Sequence, residues 1–190
     1  QALAALAATS AASAQPPARP KLIAEENARP GTTDWQLTYV KFDAGNPRRQ
    51  SLIEGYCTRT SVKAGQEIGF CVSTAPTSPF TIDIYRLGYY GGAGGRHVRT
   101  LGPFDGRPQP VPPVGEARLR ECRWEPCTTL TIPADWPSGV YLGKLSAAAH
   151  RYQSYVIFVV TDDRPADVFV QCSTNTWQAY NKWPDNYSLY

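Results

Sequence analysis

Between Trp35 and Thr161 the chain never runs far without a turn signal. The clusters "KAGQ", "APTSP", "GGAGG", "GRPQPVPPVG" and "DWPSG" punctuate it, and glycine and proline in such clusters favour turns over helix. Between the clusters the apolar residues alternate. In "EIGFCVST", Ile68, Phe70 and Val72 fall on one face and Gly69 and Cys71 on the other. In "FTIDIYRLGYY", Ile82 and Ile84 oppose Asp83 and Tyr85. A period of two marks a half-buried strand. "TTLTIPA", "GVYLGKLSA" and "YQSYVIFVV" continue the series. Short strands at this spacing predict a β-sandwich of immunoglobulin or fibronectin type over residues 35–162. The 17 prolines and 15 glycines disfavour long helices, and the 42% of apolar residues is enough for a core. Tyr141, following the turn in "PSGVY", is placed to act as a tyrosine corner.

Past Thr161 the pattern changes. Arg164-Pro165 enforces an extended link. "DVFVQC" holds a continuous apolar run, Val168 to Val170, of the kind buried on both faces in a parallel sheet. "STNT" offers helix N-caps, and "TWQAYNKW" places Trp177 and Tyr180 three residues apart on one helical face before Pro184 ends the turn. Strand, cap and helix together predict that 163–190 is the first βα unit of a truncated α/β domain. Such sheets bind ligands beyond the carboxyl ends of their strands, where residues 173–181 would lie.

At the other end, "QALAALAATSAASAQ" is an alanine-rich apolar stretch closing on Ala12-Ser13-Ala14, an A-x-A cleavage pattern. Residues 1–14 read as the remnant of a signal peptide, the protein as exported, and 15–34 as a linker opened by "QPPARP". Export to an oxidising compartment makes disulfides an expectation for Cys57, Cys71, Cys122, Cys127 and Cys172. The odd count leaves at least one unpaired, and Cys122 and Cys127 could close a small loop. No apolar run reaches membrane-spanning length. The net charge of +3 is too small to argue for nucleic acid.

Few segments carry chemistry. The glycines of "GYYGGAGGR" could cradle phosphate, but the segment follows an antiparallel-type strand and precedes no helix pattern, so a hairpin loop explains them better. Arg118 and Arg120 in "RLRECR" share one face of an expected strand, solvated or at a sheet edge. Cys172 ends a strand-like run, where some hydrolases place a nucleophile, yet neither His97 nor His150 is near it in sequence. Trp177 and Trp183 are expected to pack the helix onto its sheet. Tyr180 follows the polar cap at the expected ligand crevice, and a hard cation can hold a phenol as phenolate.

The segments "IEGYCTRTSV", "IYRLGYYGGAGGR", "LRECRWEP", "PADWPSGVYLGKL", "YQSYVIFVV" and "TWQAYNKW…SLY" occur in one order over most of residues 50–190. In this the chain resembles the large (β) subunit of N,N-dimethylformamidase and its relatives. The resemblance implies a β-sandwich ahead of an α/β catalytic domain of flavodoxin or glutamine-amidotransferase type. It also implies hydrolysis of a small N-substituted amide, with one iron held by two tyrosines and a glutamate. Of these ligands only the tyrosine of "TWQAYN", Tyr180, has a counterpart here; Tyr187 and Tyr190 lie close by. The others are expected beyond residue 190, so the chain reads as an inactive N-terminal fragment of an iron-dependent amidohydrolase. Its partners would be a small amide substrate and either a small subunit or further copies of itself. The competing expectation is a non-catalytic exported sandwich that binds polysaccharide or protein, with Tyr89, Tyr90 and Trp124 exposed for sugar stacking.

Overall fold

The computed structural model describes residues 21–185, 187 and 188. The signal-peptide stretch and Tyr190 lie outside the described residues. Among the described residues, eight strands form two sheets. The three-stranded sheet has the order β1 (Glu54–Cys57), β3 (Glu67–Ser73), β6 (Thr128–Thr131). The five-stranded sheet runs β2 (Ser61–Lys63), β8 (Gln153–Thr161), β7 (Gly139–Ala147), β4 (Ser78–Leu87), β5 (Gly95–Gly106). Every pairing is antiparallel except β2 with β8.

The alternation in the sequence sets which faces meet. Ile68, Phe70 and Val72 of β3 and Leu130 of β6 bury against Ile82 and Ile84 of β4, Leu145 of β7 and Val156 and Phe158 of β8 in one continuous core. Phe70 meets Phe158 edge-to-face at 5.9 Å between ring centroids. Tyr141, fully buried, stacks between Trp136 and Phe158 at 5.0 and 5.5 Å. Its hydroxyl donates to the carbonyl of Pro137 at 2.7 Å. That bond back to a carbonyl four residues upstream is the tie expected of a tyrosine corner.

With the short β1 and β2, β5 is one of three strands the sequence hides. Two register shifts against β4, between Phe80 and Ile82 and between Ile84 and Tyr85, break its period of two. Its core-facing residues Val98, Leu101 and Phe104 are therefore spaced by three. As an edge strand it tolerates Pro103, whose missing N–H costs no ladder bond there.

The "GYYGGAGGR" segment is the β4–β5 hairpin connection, with Gly91, Gly92 and Gly94 at φ of 66°, 94° and 84°. These are conformations that glycine adopts without the Cβ penalty. The loop also anchors part of the stretch read as linker. Helix α1 (Leu22–Asn27) packs Glu26 against it with only 3% exposure. Glu26 accepts from Arg96 Nε at 2.7 Å and from the Tyr90 hydroxyl at 2.8 Å, and Tyr90 in turn accepts from Arg86 at 3.0 Å. Within the expected linker, then, Leu22–Asn27 is a helix docked on the hairpin through Glu26.

Three further expectations are corrected. "RLRECR" forms no strand: Glu116–Arg118 is a 3₁₀ turn, and Arg118 sits at φ 61°, which takes it off any ladder. Cys122 and Cys127 are not bridged, and all five cysteines are free thiols. Cys127 turns inward onto the core and donates to the Phe70 carbonyl at 3.1 Å, away from a loop-closing geometry. Val168–Val170 joins no ladder and stands 74–88% exposed, since no strand among the described residues runs beside it.

Candidate functional site

The second helix, α2 (Thr174–Ala179), is six residues long and buries none of them. Its N-cap, Ser173, makes no side-chain cap bond. One face, Asn175, Gln178 and Ala179, borders a cavity of about 990 Å³ between the helix and the sandwich. The opposite wall comes from β1, from residues 37–50 and from the 118–124 loop, including Phe42, Tyr56, Arg120 and Trp124. Trp177 and Tyr180 do not line it and are 44% and 56% exposed. Tyr180 closes the helix, its N–H donating to the Thr176 carbonyl at 3.1 Å. The expectation that Trp177 packs on a sheet is thus corrected: with no sheet beside Val168–Val170, that helical face looks outward.

Beyond Tyr180 the chain is fastened to the sandwich. Arg49 and Glu54 form a two-pronged ion pair, at 3.1 Å from Nε and 2.7 Å from Nη2. The Trp183 indole N–H donates to Glu54 Oε2 at 2.8 Å, and the Arg49 guanidinium lies 5.4 Å from the Trp183 ring. Trp183 also meets Trp124 edge-to-face at 5.9 Å. Asn46 Nδ2 donates to the buried Pro184 carbonyl at 2.7 Å, and Arg120 pairs with Asp185. The Tyr187 hydroxyl donates to the Arg118 carbonyl at 2.8 Å, and the Arg118 guanidinium lies 4.4 Å from the Tyr187 ring. Trp183 thus packs on the sandwich and not, as expected, between the helix and a sheet of its own unit. Arg49, pulled up by its bond to Glu54 against the cost of burial, is held as a cation. None of these partners is near Tyr180 in sequence, and only the aromatic residues of the segment hinted at a docking surface.

Behind the seat lies a hydrogen-bonded layer. The Trp124 N–H donates to the Tyr56 hydroxyl at 2.9 Å, and its indole N–H to the Pro110 carbonyl at 2.8 Å. Cys71 donates to the Trp124 carbonyl at 3.3 Å. Burial pushes the Tyr56 phenol up to about 12, and the Cys122 and Cys127 thiols up to about 11. These are neutral structural groups at physiological pH. Of the three aromatics expected to stack on sugar, only Tyr89 is exposed, at 71%; Tyr90 and Trp124 are 3% and 6% exposed, each consumed by packing and hydrogen bonds.

His97 lies on β5 beside Thr100, and His150 beside Tyr152, both on the sandwich and not on the segment that carries Cys172. Among the described residues no group of three or more His, Cys, Asp or Glu could hold a metal. Tyr180, 56% exposed, carries a phenol oxygen, a donor of the hard type. No helix among the described residues is long and apolar enough to cross a membrane.

A comparison with curated proteins finds no match. Among solved structures, the PKD domain of an M14-like peptidase from Thermoplasmatales archaeon SCGC AB-540-F20 aligns with 59% of this chain and 91% of its own. Its identity is 13% and its TM-score 0.31, too loose a likeness to carry an argument. The family model described as "N,N-dimethylformamidase beta subunit-like, C-terminal" matches residues 81–190, from β4 through the seat and past Tyr180. With more than half of its length matched, the chain belongs to the N,N-dimethylformamidase beta subunit-like family.

Proposed function

We propose that the chain is the N-terminal part of an iron-dependent amidohydrolase acting on a small N-substituted amide, and that Tyr180 supplies one of the metal's ligands. The observation that carries this reading is the family match, which runs unbroken from the sandwich across Tyr180. Two structural features support it. The Tyr180 phenol is exposed rather than consumed in the sandwich core. Val168, Phe169 and Val170 are exposed on both faces, which suits the first strand of a flavodoxin-like α/β unit awaiting its neighbours. The second tyrosine and the glutamate would come from beyond residue 190. Bound iron would supply a Lewis acid that polarises an amide carbonyl and lowers the pKa of water.

What this chain's own residues do is hold and present. The sandwich gives a rigid base, the seat around Glu54 fixes the chain after Tyr180, and Tyr180 itself is 56% exposed. The alanine-rich leader would direct export, and a mature N-terminus at Gln15 is the check.

The test is on the full-length protein purified with iron. A tyrosinate-to-iron charge-transfer absorption is expected, together with hydrolysis of dimethylformamide or a related small amide. Tyr180→Phe should weaken the absorption and lower turnover by at least about a hundredfold, the scale of losing a group that a metal centre depends on. An undiminished absorption in that variant removes Tyr180 from the ligand set.

A further inference from the structure

We infer that Asn46, Arg49, Glu54 and Arg120 of the sandwich are positioning residues for Tyr180: they set where its phenol sits by clamping residues 183–185. The argument starts from α2. A helix of six residues is marginal by itself, because nucleation is unfavourable and few bonds follow it. This one buries no residue and lacks a side-chain cap. Its upstream flank is exposed over residues 163–171, and the tie to the sandwich there, Lys63 Nζ to Asp163 at 2.6 Å, is a solvent-exposed ion pair eleven residues before α2. Its inner face borders the 990 Å³ cavity instead of packing directly on the sandwich.

The firm flank is downstream. Within three residues of Tyr180 the Trp183 N–H donates to Glu54, itself fixed by Arg49 at two points. Asn46 then takes the Pro184 carbonyl and Arg120 the Asp185 carboxylate. The intervening turn is short and bonded: the Asn181 N–H donates to the Gln178 carbonyl at 3.2 Å, and the Trp183 N–H to Asn181 Oδ1 at 3.0 Å. Three residues reach at most about 10 Å. Position fixed at Trp183 is thus passed back to Tyr180. Charge-assisted bonds to a part-buried carboxylate are among the stronger ones available for this. The consequence for metal binding rests on the ligand reading above; the clamp itself does not.

The test uses the full-length protein and the double variant Trp183→Phe, Asp185→Asn. Phenylalanine keeps an aromatic face toward Trp124 and Arg49 and removes the N–H donor; asparagine removes the charge facing Arg120. Both sites are at the surface of the sandwich, and unchanged exchange of the β4 and β7 amides checks that the fold is intact. The expected result is roughly tenfold faster hydrogen exchange at the Tyr180 and Asn181 amides, the scale of losing bonds to charged groups. Ferric ion, titrated from citrate, should bind roughly tenfold more weakly with a shifted charge-transfer maximum, the scale of losing an outer-shell support. Unchanged exchange at Tyr180 overturns the clamp. Faster exchange with ferric affinity and spectrum unchanged, while Tyr180→Phe abolishes the band, overturns the positioning role. If Tyr180→Phe keeps the band, the ligand reading fails, and the clamp is decided by exchange alone.

Discussion

Glu26 shows how one buried side chain can fasten a whole segment. Burial pushes its pKa up, but the hydrogen bonds from Arg96 and Tyr90 and the charges of Arg96 and Arg29 outweigh that and hold it below the ordinary carboxylate value of 4.5. A carboxylate with a lowered folded pKa contributes stability that is present above its unfolded pKa and lost as pH falls through the folded one. Glu26→Ala also leaves Arg96 without its partner, so it should cost about 3 kcal/mol at pH 7. The gap between variant and parent should narrow below about pH 4.5, as the parent loses its own carboxylate. Denaturant unfolding of both proteins at pH 7 and at pH 3.5 checks it; an equal gap at both values would deny the charge a role.

At the scale of elements, the β7 start is fixed by Tyr141. Its ring fills the space between Trp136 and Phe158, while its hydroxyl ties the strand to the preceding turn at Pro137. Tyr141→Phe keeps the packing and removes the tie, leaving a buried carbonyl short of a donor. A loss of about 1–2 kcal/mol is expected in urea unfolding. The β4–β5 hairpin is the other informative element. Its glycines let the chain turn, and the same turn presents Tyr90 to α1, so a loop that looks like a ligand cradle in the sequence is an attachment point for the chain's own helix.

For the molecule as a whole, the two sheets and the 163–188 segment differ in how they are held. The sandwich has a continuous apolar core, whereas the segment is held by a polar and aromatic seat and leaves Val168, Phe169 and Val170 exposed. Phe169→Asp should therefore change the stability of the sandwich by less than about 0.5 kcal/mol, as for other exposed positions. In the full-length protein the same change should abolish soluble expression if that strand is buried between neighbours in an α/β sheet. Thermal unfolding of the sandwich and the yield of soluble full-length protein check the two halves. A large loss in the sandwich transition would show that Phe169 packs on it.

The sequence alone determined what depends on neighbours in the chain: five of the eight strands among the described residues, their inward faces, the glycine hairpin and the tie at Tyr141. Those follow from steric preference and from a period of two, both local. β5 escaped because its two register shifts destroy that period. Only the tertiary structure decided that Tyr90 and Trp124 are inside, that α1 docks on the hairpin, and that Trp183 and Pro184 are held by residues 129 and 138 positions earlier. A tryptophan or an arginine has the same local preferences whether it faces solvent, sugar or a carboxylate. Which partner it meets is fixed by how the sheets pack and where the loops return, and no short stretch of sequence carries that information.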